Sequence, residues 1–430
     1  MTYEETIDFL FNQLPVFQNI GGSAYKEGLG NSLLLDKHLD YPHKKYRTIH
    51  VGGTNGKGST SHTIAAVLAE AGYKVGLYTS PHLVDFRERI RINGTKIPKE
   101  YIVDFVADNQ QFFTPIQPSF FELTMAMAFK YFADEKVEVA VIEVGLGGRL
   151  DSTNIISPDL SIITNISLDH VQFLGNSEEK IAAEKAGIIK PNTPVVIGEA
   201  EGEVKKVFEE KAKEQNAPIL FAEEETIITS YERDETGFII NTPQYPNLSF
   251  ELGGLAQLKN AATILTAIEQ LIKAGYKIPT TAIYSGFAEV CGLTGLMGRW
   301  QIIQESPKIV CDTGHNVGGM TYIAEQLGYE KYDKLHFILG MVNDKDISSV
   351  LSLLPKDATY YFTRATVARA LDENELKKLG ETFGLSGLAY DTVQHAVSSA
   401  IEHAGEKDLI FIGGSNFIVG DAIPLLHPNL

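Results

Sequence analysis

A chain of 430 residues is longer than one hydrophobic core readily fills, so two domains are the first expectation. With 44% hydrophobic and 21% charged residues it has a globular composition, which excludes disorder as its theme. Its 37 basic and 55 acidic side chains leave a net charge of −18, a field that repels nucleic acid and anionic membrane, so neither is an expected partner. A small polyanion responds to local groups instead, and the chemistry must be sought in motifs. Cys291 and Cys311 lack CxxC spacing, which argues against a disulfide framework or a structural zinc site and fits a reducing compartment. Met1–Leu10 carries Glu4, Glu5 and Asp8 and does not read as a signal peptide. No apolar run approaches the ~18–20 residues of a membrane span, so a cytoplasmic protein is expected.

From residue 48 onward, short β-rich runs alternate with helical patterns. Thr48–Val51 reads as a strand, Ser59–Ala71 as a helix with Ile64, Val67, Leu68 and Ala71 on one face, and Lys74–Thr79 as the next strand. Val137–Val144, Leu160–Ile166 and Pro194–Gly198 continue the series. Such unbroken Val/Ile runs belong to strands covered on both faces, which predicts a mainly parallel sheet between helices. Phe221–Leu252 intersperses Ile227, Tyr231, Phe238 and Phe250 with turn-formers and reads as a small antiparallel insertion. A helix follows over Asn260–Gly275. Cys291–Gly298, with glycines at 292, 295 and 298, is the candidate linker and hinge. Beyond it come strands at Lys308–Cys311, Leu335–Leu339, Thr359–Phe362 and Leu409–Ile412, with a helix at Glu373–Phe383. The expected division is therefore a larger α/β domain over 1–295, with a P-loop-type sheet, and a smaller Rossmann-like α/β domain over 296–430.

The sharpest local signal is Gly52-Gly53-Thr54-Asn55-Gly56-Lys57-Gly58-Ser59-Thr60, set between a strand and a helix. Glycines let backbone N–H groups turn inward, the helix presents its positive end, and Lys57 supplies a point charge for phosphates. A hydroxyl from Ser59 or Thr60 is placed to meet magnesium. The spacing departs from the standard P-loop: the first glycine is one residue too close, and Gly58 separates Lys57 from Ser59. Ser80, Glu143 and His170 lie at or just past the ends of predicted strands, the edge where open α/β sheets bind ligands. Taken singly, each has an ordinary reading as a cap or a satisfied polar group, and Glu143 has Arg149 as an alternative partner. Lys185, in Glu184-Lys185-Ala186-Gly187, reads by itself as a cation closing a helix that starts near Ser177.

Together these segments resemble the folylpolyglutamate synthase/dihydrofolate synthase family of the Mur ligase superfamily. The carrying motifs are Gly53-Thr54-Asn55-Gly56-Lys57-Gly58-Ser59, Thr79-Ser80-Pro81-His82-Leu83 with Glu88-Arg89-Ile90, and Glu143-Val144-Gly145-Leu146-Gly147-Gly148-Arg149-Leu150-Asp151. Ser167-Leu168-Asp169-His170, Glu184-Lys185-Ala186-Gly187 and Asp312-Thr313-Gly314-His315-Asn316 follow in family order. The resemblance implies an ATP-dependent ligase that adds L-glutamate to dihydropteroate, to reduced folates, or to both, through an acyl phosphate. It implies ATP bound by Thr54 to Thr60 with Asn260, Arg299 and Asp312, and two magnesium sites drawing on Ser59, Ser80, Glu143, His170 and Lys185 as a carbamate. His315 would border the reaction centre, making Lys57, His170, Lys185 and His315 the catalytic candidates. Folate would contact Gly28-Leu29-Gly30-Asn31, Phe120, Phe121 and Glu122, and Leu150, Asp151 and Ser152, with Arg89 gripping a carboxylate. Two departures from the family pattern are Thr313-Gly314 in place of Gly-Ala and Ala256 in place of a histidine. The expected partners are small molecules only, and the expected assembly is a monomer. The alternative is a Mur ligase acting on a cell-wall precursor, but only about 45 residues precede the phosphate loop, too few for a nucleotide-sugar domain.

Overall fold

The computed structural model describes residues 1–12, 28–234, 236–343 and 346–427. Seventeen strands form three sheets among these residues. The first sheet contains β1 (Arg47–Gly52), β2 (Val75–Tyr78), β3 (Ile90–Ile92), β4 (Thr95–Lys96), β5 (Val139–Glu143), β6 (Leu160–Ile163), β7 (Val195–Ile197) and β8 (Ile219–Phe221). Their spatial order is β4-β3-β2-β5-β1-β6-β7-β8; β3 is antiparallel to both of its neighbours, β2 and β4, and all other pairings are parallel. The Val/Ile runs exist because successive residues point to opposite faces and both faces are covered. Val139 and Val141 pack into one core with Ile64, Val67 and Leu68 of helix Lys57–Glu70, whereas Ala140 and Ile142 pack into another with helix Phe120–Asp134.

The predicted insertion is a three-stranded antiparallel sheet of β9 (Ser230–Arg233), β10 (Phe238–Asn241) and β11 (Leu248–Phe250). It is fastened to the first body by Phe250, whose ring lies 4.9 Å from that of Phe287. The third sheet comprises β12 (Gln301–Glu305), β13 (Lys308–Cys311), β14 (Leu335–Leu339), β15 (Thr359–Thr363), β16 (Ser386–Tyr390) and β17 (Leu409–Gly413). It runs β12-β13-β17-β14-β15-β16 and is parallel except for edge strand β12.

The predicted linker begins too early. Val290–Thr294 is a short helix, and Thr294 is bound to His62 of the helix after the phosphate loop (Nδ1···Oγ1 2.8 Å). The chain stays packed on the first body through Leu296, and Met297 is packed against the second. No helix among the described residues is long and apolar enough to cross a membrane.

Parallel strands place their carboxyl ends on one edge. β1 runs into the glycine-rich loop, β2 ends just before Ser80, β5 ends on Glu143, and β6 leads to Asp169 and His170. The third sheet presents the same kind of edge, where β13 leads into Asp312 and β17 into Ser415.

Candidate active site

The phosphate loop turns on Gly53, whose φ of +139° and close approach to Thr164 leave no room for a Cβ: an added one would lie 1.9 Å from Thr164 Oγ1. The turn is pinned to the strand beside it. Thr54 N donates to Asn165 O at 3.0 Å, Asn55 N to Asn165 Oδ1 at 2.9 Å, and Ser167 N to Thr54 Oγ1 at 3.1 Å. Gly56 brings the backbone against Asn260 of the same body, and Gly58 brings it against the Arg299 guanidinium of the other. Ser59 Oγ and Thr60 Oγ1 are buried with no protein partner. Ser59 faces the cavity behind the loop, and Thr60 lies deeper, outside its walls.

Lys57 folds back over the loop, donating to Gly53 O at 3.0 Å and Thr54 O at 2.9 Å. Burial holds its pKa below the ordinary lysine value against the pull of Glu143 and Asp169. Lys185 comes from the end of helix Glu178–Ala186, which Ser177 caps as expected, and donates to the same Gly53 carbonyl at 2.8 Å. Burial, and then the charge of Lys57, bring Lys185 down to about 7. The lowered pKa raises the neutral, nucleophilic fraction of this amine above that of a surface lysine. The structure thus replaces the simple reading of a helix-terminal cation.

Glu143 accepts a hydrogen bond from the Ser80 backbone N–H at 3.0 Å, so the tips of β2 and β5 are joined. Burial raises the pKa of Glu143, opposed by Lys57, the Ser80 N–H, Arg299 and Arg89. Arg149 does not pair with Glu143; its Nη2 donates to Glu184 at 2.9 Å. His170 caps helix Val171–Leu174 in a left-handed conformation (φ 50°), with its Nε2 3.9 Å from Asp169 Oδ2.

The two bodies meet through expected site residues, Asn55, His315 and Asp312, together with Asp169 and Asn316, to which the motif reading gave no role. Asn55 and Asn316 exchange side-chain amide bonds, both 3.0 Å long, while Asn316 Nδ2 also donates to Asp169 Oδ2 at 3.0 Å. Asp169 Oδ2 lies 3.4 Å from His315 Nε2, and His315 Nδ1 faces Thr313 O at 3.0 Å. Asp312 accepts from Trp300 N at 2.7 Å and Gly314 N at 2.8 Å; burial raises its pKa, opposed first by Arg299.

Two cavities open from this centre. One, about 150 Å³, is walled by the loop from Thr54 to Ser59, Glu143, Asn260, Arg299, Asp312 and neighbouring residues. The other, about 250 Å³, is walled by Arg89, Phe120, Phe121, Leu150, Asp151, Ser152, His170 and Lys185, and by Val342, Arg369, Ser415, Asn416 and Phe417 from the second body. Thr54, Lys57, Ser80, Pro81, His315 and Asn416 front both. Arg89 is only 3% exposed; its Nε donates to His82 Nδ1 at 2.7 Å, its guanidinium lies over Phe120, 5.1 Å from the ring centre, and burial lowers its pKa to about 10.

Three substrate-loop expectations change. Glu122 does not wall the cavity. It closes a capping box on helix Phe120–Asp134, accepting from Ser119 N at 2.6 Å while its own N–H donates to Ser119 Oγ at 3.2 Å. Asn31 turns to Glu122 at 3.3 Å, and Gly28–Asn31 opens helix Gly30–His38 outside the cavity walls. Asp151 does face the cavity, but its carboxylate is engaged by Gly145 N (3.0 Å), Leu146 N (2.9 Å) and Thr153 N (3.0 Å), which makes it the brace of the glycine-rich loop.

Comparison with known proteins agrees with this geometry. Residues 51–268 match the Mur ligase middle domain, and residues 298–416 match the Mur ligase glutamate ligase domain. A dihydrofolate synthase/folylpolyglutamate synthase of Bacillus subtilis is 33% identical over 416 residues, covering 92% of this chain and 94% of that protein. Escherichia coli FolC, solved in complex with DHPP and ADP, superimposes with a TM-score of 0.87 at 29% identity, over 100% of this chain and 98% of that one. A bifunctional folylpolyglutamate synthase/dihydrofolate synthase of Yersinia pestis, complexed with AMPPNP and Mn, gives 0.82 at 27% identity, over 99% and 98%. On these domain matches and on relatives that it resembles over nearly their whole length, the chain belongs to the dihydrofolate synthase/folylpolyglutamate synthase family, ATP-dependent ligases of the Mur ligase type that add glutamate to folates.

Proposed function

We propose that this chain joins L-glutamate both to dihydropteroate and to reduced folates, with the 250 Å³ cavity taking the pteroyl group and the 150 Å³ cavity the nucleotide. The observation that carries this reading is the shared wall: Lys57, Ser80 and His315 front both cavities, so the tail of a pteroate and the terminal phosphate of a nucleotide meet there. Phe120 and Phe121 supply aromatic surface for a flat ring. Arg89 offers a planar fork to a carboxylate, and Leu150 and Ser152 close the cavity opposite. Asn260, Arg299 and Asp312 hold the nucleotide from the far side, with Thr54 to Ser59 cradling its phosphates.

A carboxylate is a poor electrophile. Its oxygen attacks the terminal phosphorus, ADP leaves, and the resulting acyl phosphate is attacked by the glutamate amine, expelling phosphate as the amide forms and a proton departs. The protein's part is to hold the anions together and neutralise crowded charge. Lys57 swings from its loop carbonyls to the phosphates. His315, held by Thr313 O and Asp169, borders the acyl carbon.

Magnesium fits these donors. Ser59 Oγ has no protein partner, and Glu143 is a hard oxygen donor. Among the described residues no three His, Cys, Asp or Glu side chains converge to hold a metal unaided. A bound divalent ion, with phosphate oxygens as further ligands, would bring charge neutralisation to the transfer. Ser80, Glu143 and His170, with Lys185 as a carbamate, are the residues we assign to two such ions. We place the division between units at 295/296 and the acting unit as a cytoplasmic monomer whose two bodies close about ATP.

The test is incubation with ATP, magnesium, L-glutamate and dihydropteroate, which should yield dihydrofolate, ADP and phosphate. Extension of tetrahydrofolate with no reaction of dihydropteroate would sink the bifunctional reading.

A further inference from the structure

The crossover between the bodies is anchored at both ends. Up to Gly295 it belongs to the first body: Cys291 N donates to Glu251 Oε2 at 2.7 Å, Thr294 is bound to His62, and the β3–β4 turn presses its Gly94 on Leu293 O. From Gly298 it belongs to the second: Thr313 N donates to Gly298 O at 3.1 Å and Trp300 N to Asp312 at 2.7 Å. Leu296 packs in the core of the first body and Met297 against that of the second. The crossover itself is these two residues, one seated on each body, and their backbone is where the bodies can turn.

The near anchor is finished by Arg91 of β3, which is 4% exposed. Its Nη1 donates to Gly94 O at 3.1 Å and its Nη2 to Gly295 O at 3.3 Å. Gly295 has φ +69°, and a Cβ there would lie 2.7 Å from Arg91 Nη1, so the glycine lets the backbone settle on the guanidinium. Arg91 also walls a 40 Å³ cavity with Gly58, Glu143 and Arg299, so it reaches the back of the nucleotide site.

We propose that Arg91 is a positioning residue: it fixes the near end of a two-residue pivot, Leu296–Met297, and thereby sets where Arg299 meets the nucleotide. The inference rests on the assignment of Arg299 to ATP made above. A guanidinium can bridge two carbonyls held at a fixed spacing, which an ammonium on a flexible stem does not reproduce.

The experiment is a double-mutant cycle with full-length protein, reading KM for ATP and kcat. Arg299→Ala should raise KM for ATP about tenfold. Arg91→Ala, and more mildly Arg91→Lys, should raise it several-fold with kcat within about twofold, and adding Arg91→Ala to Arg299→Ala should produce no further rise. Equal factors in both backgrounds, or a lowered Tm with KM unchanged, overturn the proposal. If Arg91→Ala fails to fold, Arg91→Lys supplies the same cycle. If Arg299→Ala leaves KM unaltered, the nucleotide role of Arg299 fails instead, and scattering decides the anchor. Wild type should contract on adding AMPPNP and both Arg91 variants should contract less; equal contraction overturns the anchor.

Discussion

The two cavities share six residues yet are built on different principles. The cavity proposed for the nucleotide sets a backbone cradle (a glycine turn, a helix start, and a loop braced by Asn165 and Thr164) beside the side chains of Asn260, Arg299 and Asp312. The cavity proposed for the pteroyl group is built mainly of side chains drawn from distant segments, including Arg89, Phe120, Leu150, Lys185 and Phe417. Backbone donors recognise what every nucleotide has in common, phosphate, and need few exact side chains. A shaped apolar wall recognises one ring system and depends on each residue that forms it.

That contrast predicts how substitutions should separate. Lys57→Ala should have the largest effect, lowering kcat about a thousandfold or more through lost charge neutralisation at the shared wall. Steady-state ADP release with pteroate and glutamate measures it, and an unchanged rate would remove Lys57 from the centre. Lys185→Arg keeps a cation but cannot form a carbamate, and a loss of about a hundredfold is expected. The wild-type amine, with a pKa of about 7, becomes neutral as pH rises. Activity at fixed dissolved CO2 should therefore climb through pH 7 in wild type and stay flat in the arginine variant. Parallel profiles would count against the carbamate.

Arg89→Met should raise KM for the pteroyl substrate about tenfold while leaving KM for ATP within twofold. A shift in both would mean that the cavities are not separable. A further effect falls on stability and not on turnover, and belongs beneath the cavities, at His50 on β1, buried and paired with Thr153 Oγ1 at 2.8 Å. Burial lowers its pKa to about 3, whereas the unfolded chain titrates at the ordinary 6.5. The unfolded state therefore gains a proton first, and stability falls as pH drops from about 6.5 towards 3. By pH 4.5 this amounts to roughly 2–3 kcal/mol, a loss that His50→Asn should lack when urea unfolding is compared at pH 7 and 4.5.

Most of the sheets was legible in the sequence because buried parallel strands are written as Val/Ile runs; β13 and β14 fall on the expected residues. The strands that were missed are mostly at edges. β4, β12 and β16 are partly exposed and carry no continuous apolar run, for instance Gln301–Glu305 and Ser386–Tyr390, and the apolar run of β8, Ile219–Phe221, is only three residues long. The chemistry-bearing residues before and within the motifs were also legible, since strand ends, glycines and a lysine have local signatures. Glu122 was misread because a capping carboxylate and a ligand carboxylate look alike until the helix start is fixed. Asp169 stood inside a quoted motif unassigned: nothing local says that its carboxylate will meet Asn316, 147 positions away.

The sequence by itself determined the loop that cradles phosphate, the alternation that makes the sheets, and the family, because each is encoded in contiguous residues with short-range physical requirements. Only the tertiary structure decided that Lys57 and Lys185 share one carbonyl, that Asn55 and Asn316 join the bodies, and that Ser415–Phe417 complete a cavity begun three hundred residues earlier. Those facts depend on distances between segments and on mutual burial, which shift pKa values and satisfy polar groups only after the two bodies have packed.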